Sequence, residues 1–442
     1  MSNAVLDQYD AGAPSTEGTL GNLTAEQDAA LRDLWRRLLV EFPKPINANA
    51  AEDPTPSLSP GITPTPTPPL SAERSVRSLR PSESPSSAEK SRSSSWFSFG
   101  AAKAEPESYR QLVGDMAVSG SRPPERYSPL AMSRALPLVR DVFWDTVVCD
   151  HPDVLLLRFL RARKWKPEDA LAMLLACLRW RLAEDIDWLV WTGESRLNLA
   201  LMRSGVGAMR GTDRIGQPVL HIPVRLNDPK AQPMEQIVEY TIYLMEVARC
   251  VLHPPVEKVC LLVDTTDMSL ANMDWAFFKT FLHYLEHYYP ECLGLVLIYN
   301  ASWVFHSLWK LIRPLLDPVV ASKVQFAPTQ KDLLRFIAPE HLPIELGGSD
   351  RFAYSYVMPA DGENAPMFDF AAGDAAAAKR QTACDDFEAA TRAWANSTTA
   401  ELPPAVFLPH ARTLAAESVI ATSRALDKHR RARTQYHRTG VI

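Results

Sequence analysis

The chain has 442 residues, and its 47 Lys and Arg against 52 Asp and Glu leave a formal charge of −5. A general nucleic-acid binder needs a basic footprint, so no nucleic-acid partner is expected. The 36 prolines outnumber the 18 glycines two to one, an excess that a compact fold does not require and that one stretch must carry.

In chain order, residues 22–40 read as an amphipathic helix. Thr24 and Gln27 have capping-box spacing, and Leu31, Leu34, Trp35, Leu38 and Leu39 recur on one face. Fifteen of the prolines fall between residues 43 and 129, around a Ser-rich run at 71–95. Such composition buries too little apolar surface to offset its ordering entropy, so 43–128 is expected to be a disordered linker, with Ser-Pro and Thr-Pro pairs open to phosphorylation. Helices are predicted at 136–148, at 153–164 and from Pro167, where Leu171, Leu174, Leu175, Leu178 and Leu182 form one face.

From about 209 strand and helix alternate: a turn at 213–216, strand 219–224, helix 234–252, strand 259–264, helix 275–288, strand 293–299, helix 305–312, strand 324–326 and a helix from Thr329. Unbroken apolar strands separated by helices imply an α/β fold with a mostly parallel sheet. Beyond Gly348 the chain is Ala-rich, with a helix at 385–395. A basic tail at 424–438 is expected either to be attracted to an anionic membrane or to be a solvated end. Six scattered cysteines without a CxxC pair read as reduced thiols of a cytosolic protein. No secretory h-region or membrane-spanning apolar run is apparent, so a soluble protein is expected.

The chain carries no GxSxG elbow, Walker A loop or GxGxxG turn. His283, Glu286 and His287 have the H-x-x-E-H spacing of a zinc hydrolase, with Glu363 as a further candidate ligand; chance on a Tyr-rich helix is the favoured reading, and no metal is expected. Arg158, Arg161, Arg163 and Lys164 close a predicted helix, either as cations on its negative end or as a phosphate-binding edge. Phe305, Leu308, Trp309 and Ile312 form an apolar face flanked by Lys310 and Arg313, suited either to an ordinary core helix or to a mobile lid over a lipid cavity.

The ordered segments Leu156-Leu-Arg-Phe-Leu-Arg-Ala-Arg-Lys-Trp165, Asp213-x-x-Gly216-Gln-Pro-Val219, Leu262-Val-Asp264, Tyr288-Tyr-Pro-Glu-Cys-Leu-Gly294, Leu316-Asp-Pro318 and Leu342-Pro-x-x-x-Gly-Gly348 resemble the CRAL-TRIO lipid-binding family. Within it they resemble the fungal phosphatidylinositol-transfer branch, over about 130–350. The resemblance implies a CRAL-TRIO fold: a helical bundle at 129–190, then an α/β lobe at 191–350 enclosing one lipid. An amphipathic helix at 1–42 and a helical, basic extension at 351–442 flank these parts.

By position the resemblance assigns Arg163, Lys164, Glu291 and Lys323 to the lipid headgroup, with a plain Glu291–Lys323 ion pair as the alternative, and 305–313 to a gating helix. Val259 and Leu261 fall where the branch carries the hydroxyls of its phosphatidylcholine site, which speaks against a choline lipid. Val320 replaces a common threonine, and Gln217 an arginine. The resemblance implies a non-enzymatic, monomeric carrier without a cofactor. Its ligand would be phosphatidylinositol, and it would contact membranes such as endosome, endoplasmic reticulum or Golgi transiently from the cytoplasm. A carrier of a neutral hydrophobe such as a sterol, isoprenoid or squalene-like molecule is the alternative that Val259 and Leu261 suit.

Overall fold

The computed structural model describes residues 4–14, 17–48, 136–252, 255–397 and 407–442, so most of the expected linker lies outside the described residues. After a short helix α1 (Ala4–Ala11) comes α2 (Ala25–Glu41), which starts at Thr24. The Thr24 hydroxyl accepts the Gln27 N–H and the Gln27 carboxamide accepts the Thr24 N–H, which satisfies two amides that a helix start leaves open. The predicted stripe Leu31, Leu34, Trp35, Leu38 and Leu39 is buried.

The start of the expected linker needs correction. Phe42 and Ile46 are buried, the Ile46 N–H donates to the Pro137 carbonyl, and the Val139 N–H donates to the Lys44 carbonyl. Residues 44–46 and 137–139 thus form a short antiparallel ladder. Burial of the two large side chains outweighs the local proline signal at Pro43 and Pro45.

Three helices follow: α3 (Val139–Val147), α4 (Pro152–Ala162) and α5 (Pro167–Ala183), with Pro152 and Pro167 in the first turn of theirs. In α4 every residue from Val154 to Leu160 is buried, which suits a helix apolar all round at the centre of a bundle. Its two buried charges are paired, Asp153 with Arg412 and Arg158 with Asp150.

Two short helices that the sequence pattern did not reveal, α6 (Ile186–Thr192) and α7 (Leu199–Ser204), lead into the sheet. Its strands β1 (Ala208–Thr212), β2 (Pro218–Pro223), β3 (Val259–Asp264), β4 (Leu293–Tyr299) and β5 (Val324–Ala327) lie side by side in chain order. The β1–β2 pair is antiparallel and the rest are parallel, with α8 (Met234–Val251), α9 (Trp275–His287), α10 (Trp303–Ile312) and α11 (Pro318–Ser322) in the crossovers. Consecutive parallel strands with crossovers of one hand put every crossover helix on one face. The opposite face is covered by α1, α12 (Gln330–Leu333) and the segment after it, through Val5, Leu333, Phe336, Ile337 and Leu342.

The C-terminal helices α13 (Phe370–Asn396) and α14 (Phe407–Arg430), followed by α15 (Gln435–Arg438), share one core with α2 to α5. The expected basic tail is therefore corrected. Arg430 reaches Asp145 at 2.6 Å, Arg431 and Arg433 hold Asp427 at 2.8 and 2.9 Å, and Arg438 pairs with Glu194 and, at 2.9 Å, with Glu363. Only Arg424 and Lys428 of the cluster are exposed. Arg430 and Arg438 tie the extension to the body of the protein, while Arg431 and Arg433 pair with Asp427 inside it, so four of the six cations are held in ion pairs rather than forming a free solvated end.

Candidate functional site

The two faces of the sheet are covered unequally. By strand register Val219, Cys260, Leu262, Leu295, Leu297 and Ala327 point towards α1 and α12, and each is 0% exposed. Leu220, Ile222, Val263, Val296, Val324 and Phe326 alternate with them and point towards the crossover helices; these are as apolar, yet all are only half-buried. α9 shows the same from the other wall: it buries Leu282 and Tyr284 but leaves Phe277, Phe281 and Leu285 partly accessible. Hydrocarbon left partly accessible on both walls between two layers marks the space between them as a candidate apolar recess. Val259 and Leu261 lie on this face, buried in one cluster with Tyr240, Leu244 and Tyr284.

α10 closes the β5 side of the recess. Ser302 caps it by accepting the Phe305 N–H, and Phe305, Leu308 and Ile312 are buried against Met268, Ile298 and Phe326. Trp309 is half-buried and meets the Phe326 ring edge-on at 5.6 Å. The predicted apolar face is thus the inward one. The outward side is not purely polar: Trp303 is 80% and Leu311 62% exposed, beside exposed Lys310 and Arg313.

At the amino ends of β3, β4 and β5 sits a cluster of charges. Lys258 directly precedes β3, Glu291 stands two residues before β4, and Lys323 directly precedes β5. The backbone locks these ends together, since the Val259 N–H donates to the Cys292 carbonyl and the Val296 N–H to the Lys323 carbonyl. Lys323 Nζ lies 3.5 Å and Lys258 Nζ 3.9 Å from the same oxygen, Glu291 Oε2. Burial would raise the Glu291 carboxyl, but Lys323, Lys258 and Arg161 together hold it below the usual carboxylate range. Burial, reinforced by Lys323, pushes the Lys258 ammonium down to about 8. Glu291 has φ 55°, a left-handed backbone that a non-glycine residue adopts only under constraint.

Of the predicted headgroup residues the structure brings Glu291 and Lys323 together, and it adds Lys258, which sequence reasoning passed over. Arg163 and Lys164 sit at the C-terminal end of α4. Arg163 is half-buried with Asp169 and Glu286 as its charged neighbours, Lys164 is exposed, and none of their contacts among the described residues reaches Glu291. Lys164 has φ 51° where a helix end usually carries glycine. Arg161, one turn earlier, faces the Glu291 cluster and pairs with Glu257 at 2.7 Å.

The H-x-x-E-H spacing does not bring its residues together as a ligand set. The His287 Nδ1–H donates to the His283 carbonyl at 3.0 Å, the two imidazole rings lie 4.3 Å apart and tilted by 31°, and Glu363 accepts from Arg438. Burial pushes the His283 imidazole down to about 4. No three His, Cys, Asp or Glu side chains among the described residues are grouped to hold a metal ion.

Two family comparisons match these parts of the chain: the N-terminal CRAL/TRIO domain over residues 130–176 and the CRAL/TRIO domain over 202–348. A CRAL-TRIO domain-containing protein of Schizosaccharomyces pombe is 35% identical over 311 residues, which cover 69% of this chain and 69% of that protein. Phosphatidylinositol transfer protein CSR1 of Eremothecium gossypii is 37% identical over 268 residues, 59% of this chain and 62% of its own length. A solved chain titled Crystal structure of Sfh5 superposes with a TM-score of 0.40 at 18% identity, covering 59% of this chain and 96% of that one, a likeness too remote to bear on the ligand. The half-open sheet face, the α4 bundle in front of it and the identity across two thirds of a relative agree: the chain belongs to the CRAL/TRIO family.

Proposed function

We propose that this protein is a phosphatidylinositol transfer protein, a non-enzymatic carrier that holds one lipid in the recess between the sheet and α9 and α10. The observation that carries this reading is the juxtaposition of an accessible hydrocarbon wall with the Glu291–Lys323 pair. Each acyl methylene left in water costs about 0.8 kcal/mol, so a two-chain lipid in transit needs an apolar enclosure. Its headgroup needs partnered polar groups at the rim, because unpaired buried polar groups are costly. A carboxylate that accepts inositol hydroxyls and cations that face phosphate meet that need, with Arg163 and Lys164 as the further cationic edge. The constrained backbones at Lys164 and Glu291 fit residues held in place for a ligand.

α10 is the gate in this reading, and its opening turns Phe305, Leu308, Trp309 and Ile312 towards the bilayer. In this reading membrane contact is peripheral and transient, at the cytoplasmic side of endosome, endoplasmic reticulum or Golgi; no helix among the described residues is long and apolar enough to cross a membrane. The working unit is a monomer. The Eremothecium relative, a phosphatidylinositol transfer protein matched over 62% of its length, supports this ligand.

The test is mass spectrometry of the lipid that the purified protein extracts from mixed-lipid vesicles. Phosphatidylinositol is expected, and its extraction is lost in Glu291→Ala, Lys323→Ala. Extraction of only a sterol, isoprenoid or squalene-like molecule would assign the neutral-carrier role that Val259 and Leu261 suit.

A further inference from the structure

The charges around the amino ends of β3 to β5 do not cancel. Arg158 pairs with Asp150 at 3.3 Å and Arg161 with Glu257 at 2.7 Å, which leaves Lys258 and Lys323 to share Glu291. Four cations thus face three carboxylates, and the unmatched charge sits on lysines whose side chains are 30% and 10% exposed. A shielded charge without a counter-charge is unfavourable, and two ammonium groups converging on one oxygen repel each other. An anion bound between them removes both penalties.

Lys258 directly precedes the strand of Val259 and Leu261, and its ammonium reaches Glu291 Oε2 at 3.9 Å, so it belongs to the same charge cluster as Glu291 and Lys323. The cations at the end of α4 remain available for the phosphodiester of a bound phosphatidylinositol. The excess at Lys258 and Lys323 then calls for a second anionic group on the inositol ring. A phosphate monoester, with up to two negative charges and several strong acceptor oxygens, suits a pair of lysines.

We propose that Lys258 is a headgroup-contacting and specificity-determining residue, which with Lys323 forms a two-lysine seat for a phosphate monoester on an inositol headgroup. This rests on the phosphatidylinositol reading of the recess and extends it from the plain lipid to its phosphorylated forms. The same chemistry is offered by a free inositol phosphate, so lipid and soluble ligands are compared.

The full chain is incubated with phosphatidylcholine vesicles holding equal amounts of phosphatidylinositol and phosphatidylinositol 4-phosphate, and the extracted lipids are weighed by mass spectrometry. A parallel calorimetric titration uses inositol 1,4-bisphosphate in solution. The wild type is expected to favour the phosphorylated ligand. Lys258→Met is expected to lower the ratio of phosphorylated to plain lipid about tenfold or more, the worth of one charge-assisted hydrogen bond. Lys258→Arg, which keeps the charge, is expected to retain most of that ratio.

Phosphoinositide extraction without binding of the soluble compound assigns the seat to lipid, and Lys258-dependent binding of the soluble compound alone assigns it to a free inositol phosphate. An unchanged ratio in Lys258→Met, or an equal loss of both lipids, overturns the role of Lys258. Extraction of plain phosphatidylinositol with no phosphorylated lipid overturns the seat but keeps the function above. Extraction of neither lipid, with no binding of the soluble ligand, overturns both.

Discussion

Asp153 offers a direct measure of how the C-terminal extension is held. Its carboxylate is 2% exposed, accepts both Arg412 Nη atoms at 2.5 and 2.6 Å, and also accepts the Trp35 Nε1–H at 2.7 Å. One side chain of α4 therefore joins α2 and α14. Replacing either partner alone leaves a buried charge without its counter-charge, which costs about 3–5 kcal/mol. Replacing both by hydrocarbon, Asp153→Leu with Arg412→Met, removes the two charges together and leaves chiefly the Trp35 N–H without an acceptor, worth about 1–3 kcal/mol. Urea unfolding followed by tryptophan fluorescence is expected to show both single replacements strongly destabilised and the double one less so than their sum by at least about 3 kcal/mol. The pair also has a pH signature. Burial would raise the Asp153 carboxyl, but Arg412 holds it below its ordinary value, so its contribution is complete above the unfolded carboxylate pKa of about 3.9 and fades as pH falls below that. The double variant is expected to lack this acid-sensitive component. Single replacements that each lose less than about 1 kcal/mol, and that add, would show α14 to be a loosely attached tail and refute the reassignment.

Two further outcomes follow from the recess and its neighbourhood. Trp303→Ser with Leu311→Ser removes two exposed apolar groups from α10, so thermal stability is expected to shift by less than about 0.5 kcal/mol. Cosedimentation with lipid vesicles is expected to fall at least tenfold, and unaltered vesicle binding would mean that α10 does not meet the bilayer. The His283 imidazole is expected to titrate near pH 4, well below a free histidine, because burial favours its neutral form. That preference adds stability above the unfolded value of about 6.5 and is lost as pH falls towards 4; proton NMR of the ring measures it. Chelation is expected to leave both the titration and the fold unchanged, with no stoichiometric zinc by elemental analysis.

The sheet was legible because its signals are local. β3 and β4 have the predicted bounds, since an unbroken apolar run flanked by polar residues has few other readings. β1 was missed because Arg210, Gly211 and Thr212 give an edge strand no apolar alternation. The tail was misread for the opposite reason: Arg430 and Arg438 look solvated in sequence, and their partners Asp145 and Glu194 lie 285 and 244 residues away. The Ala-rich run at 371–378 reads as low complexity, yet it belongs to a 27-residue helix whose Phe387 and Trp394 enter the bundle core. Lys258 was not singled out from the sequence at all. The clue available was positional: Lys258, Glu291 and Lys323 each stand within two residues of the start of a parallel strand, so the sheet gathers them at one edge.

The short ladder between 44–46 and 137–139 has a consequence for how this chain can change. It brings the entry and exit of residues 49–135 side by side, so α2 and α3 keep their places whatever length separates them. Closing a longer segment between fixed ends is cheap, about 0.6 kcal/mol for each doubling. Changes in the length of that stretch are therefore expected to have little effect on the packing of α2 and α3, and a fluorescent reporter inserted there is expected to leave the sheet and α10 undisturbed.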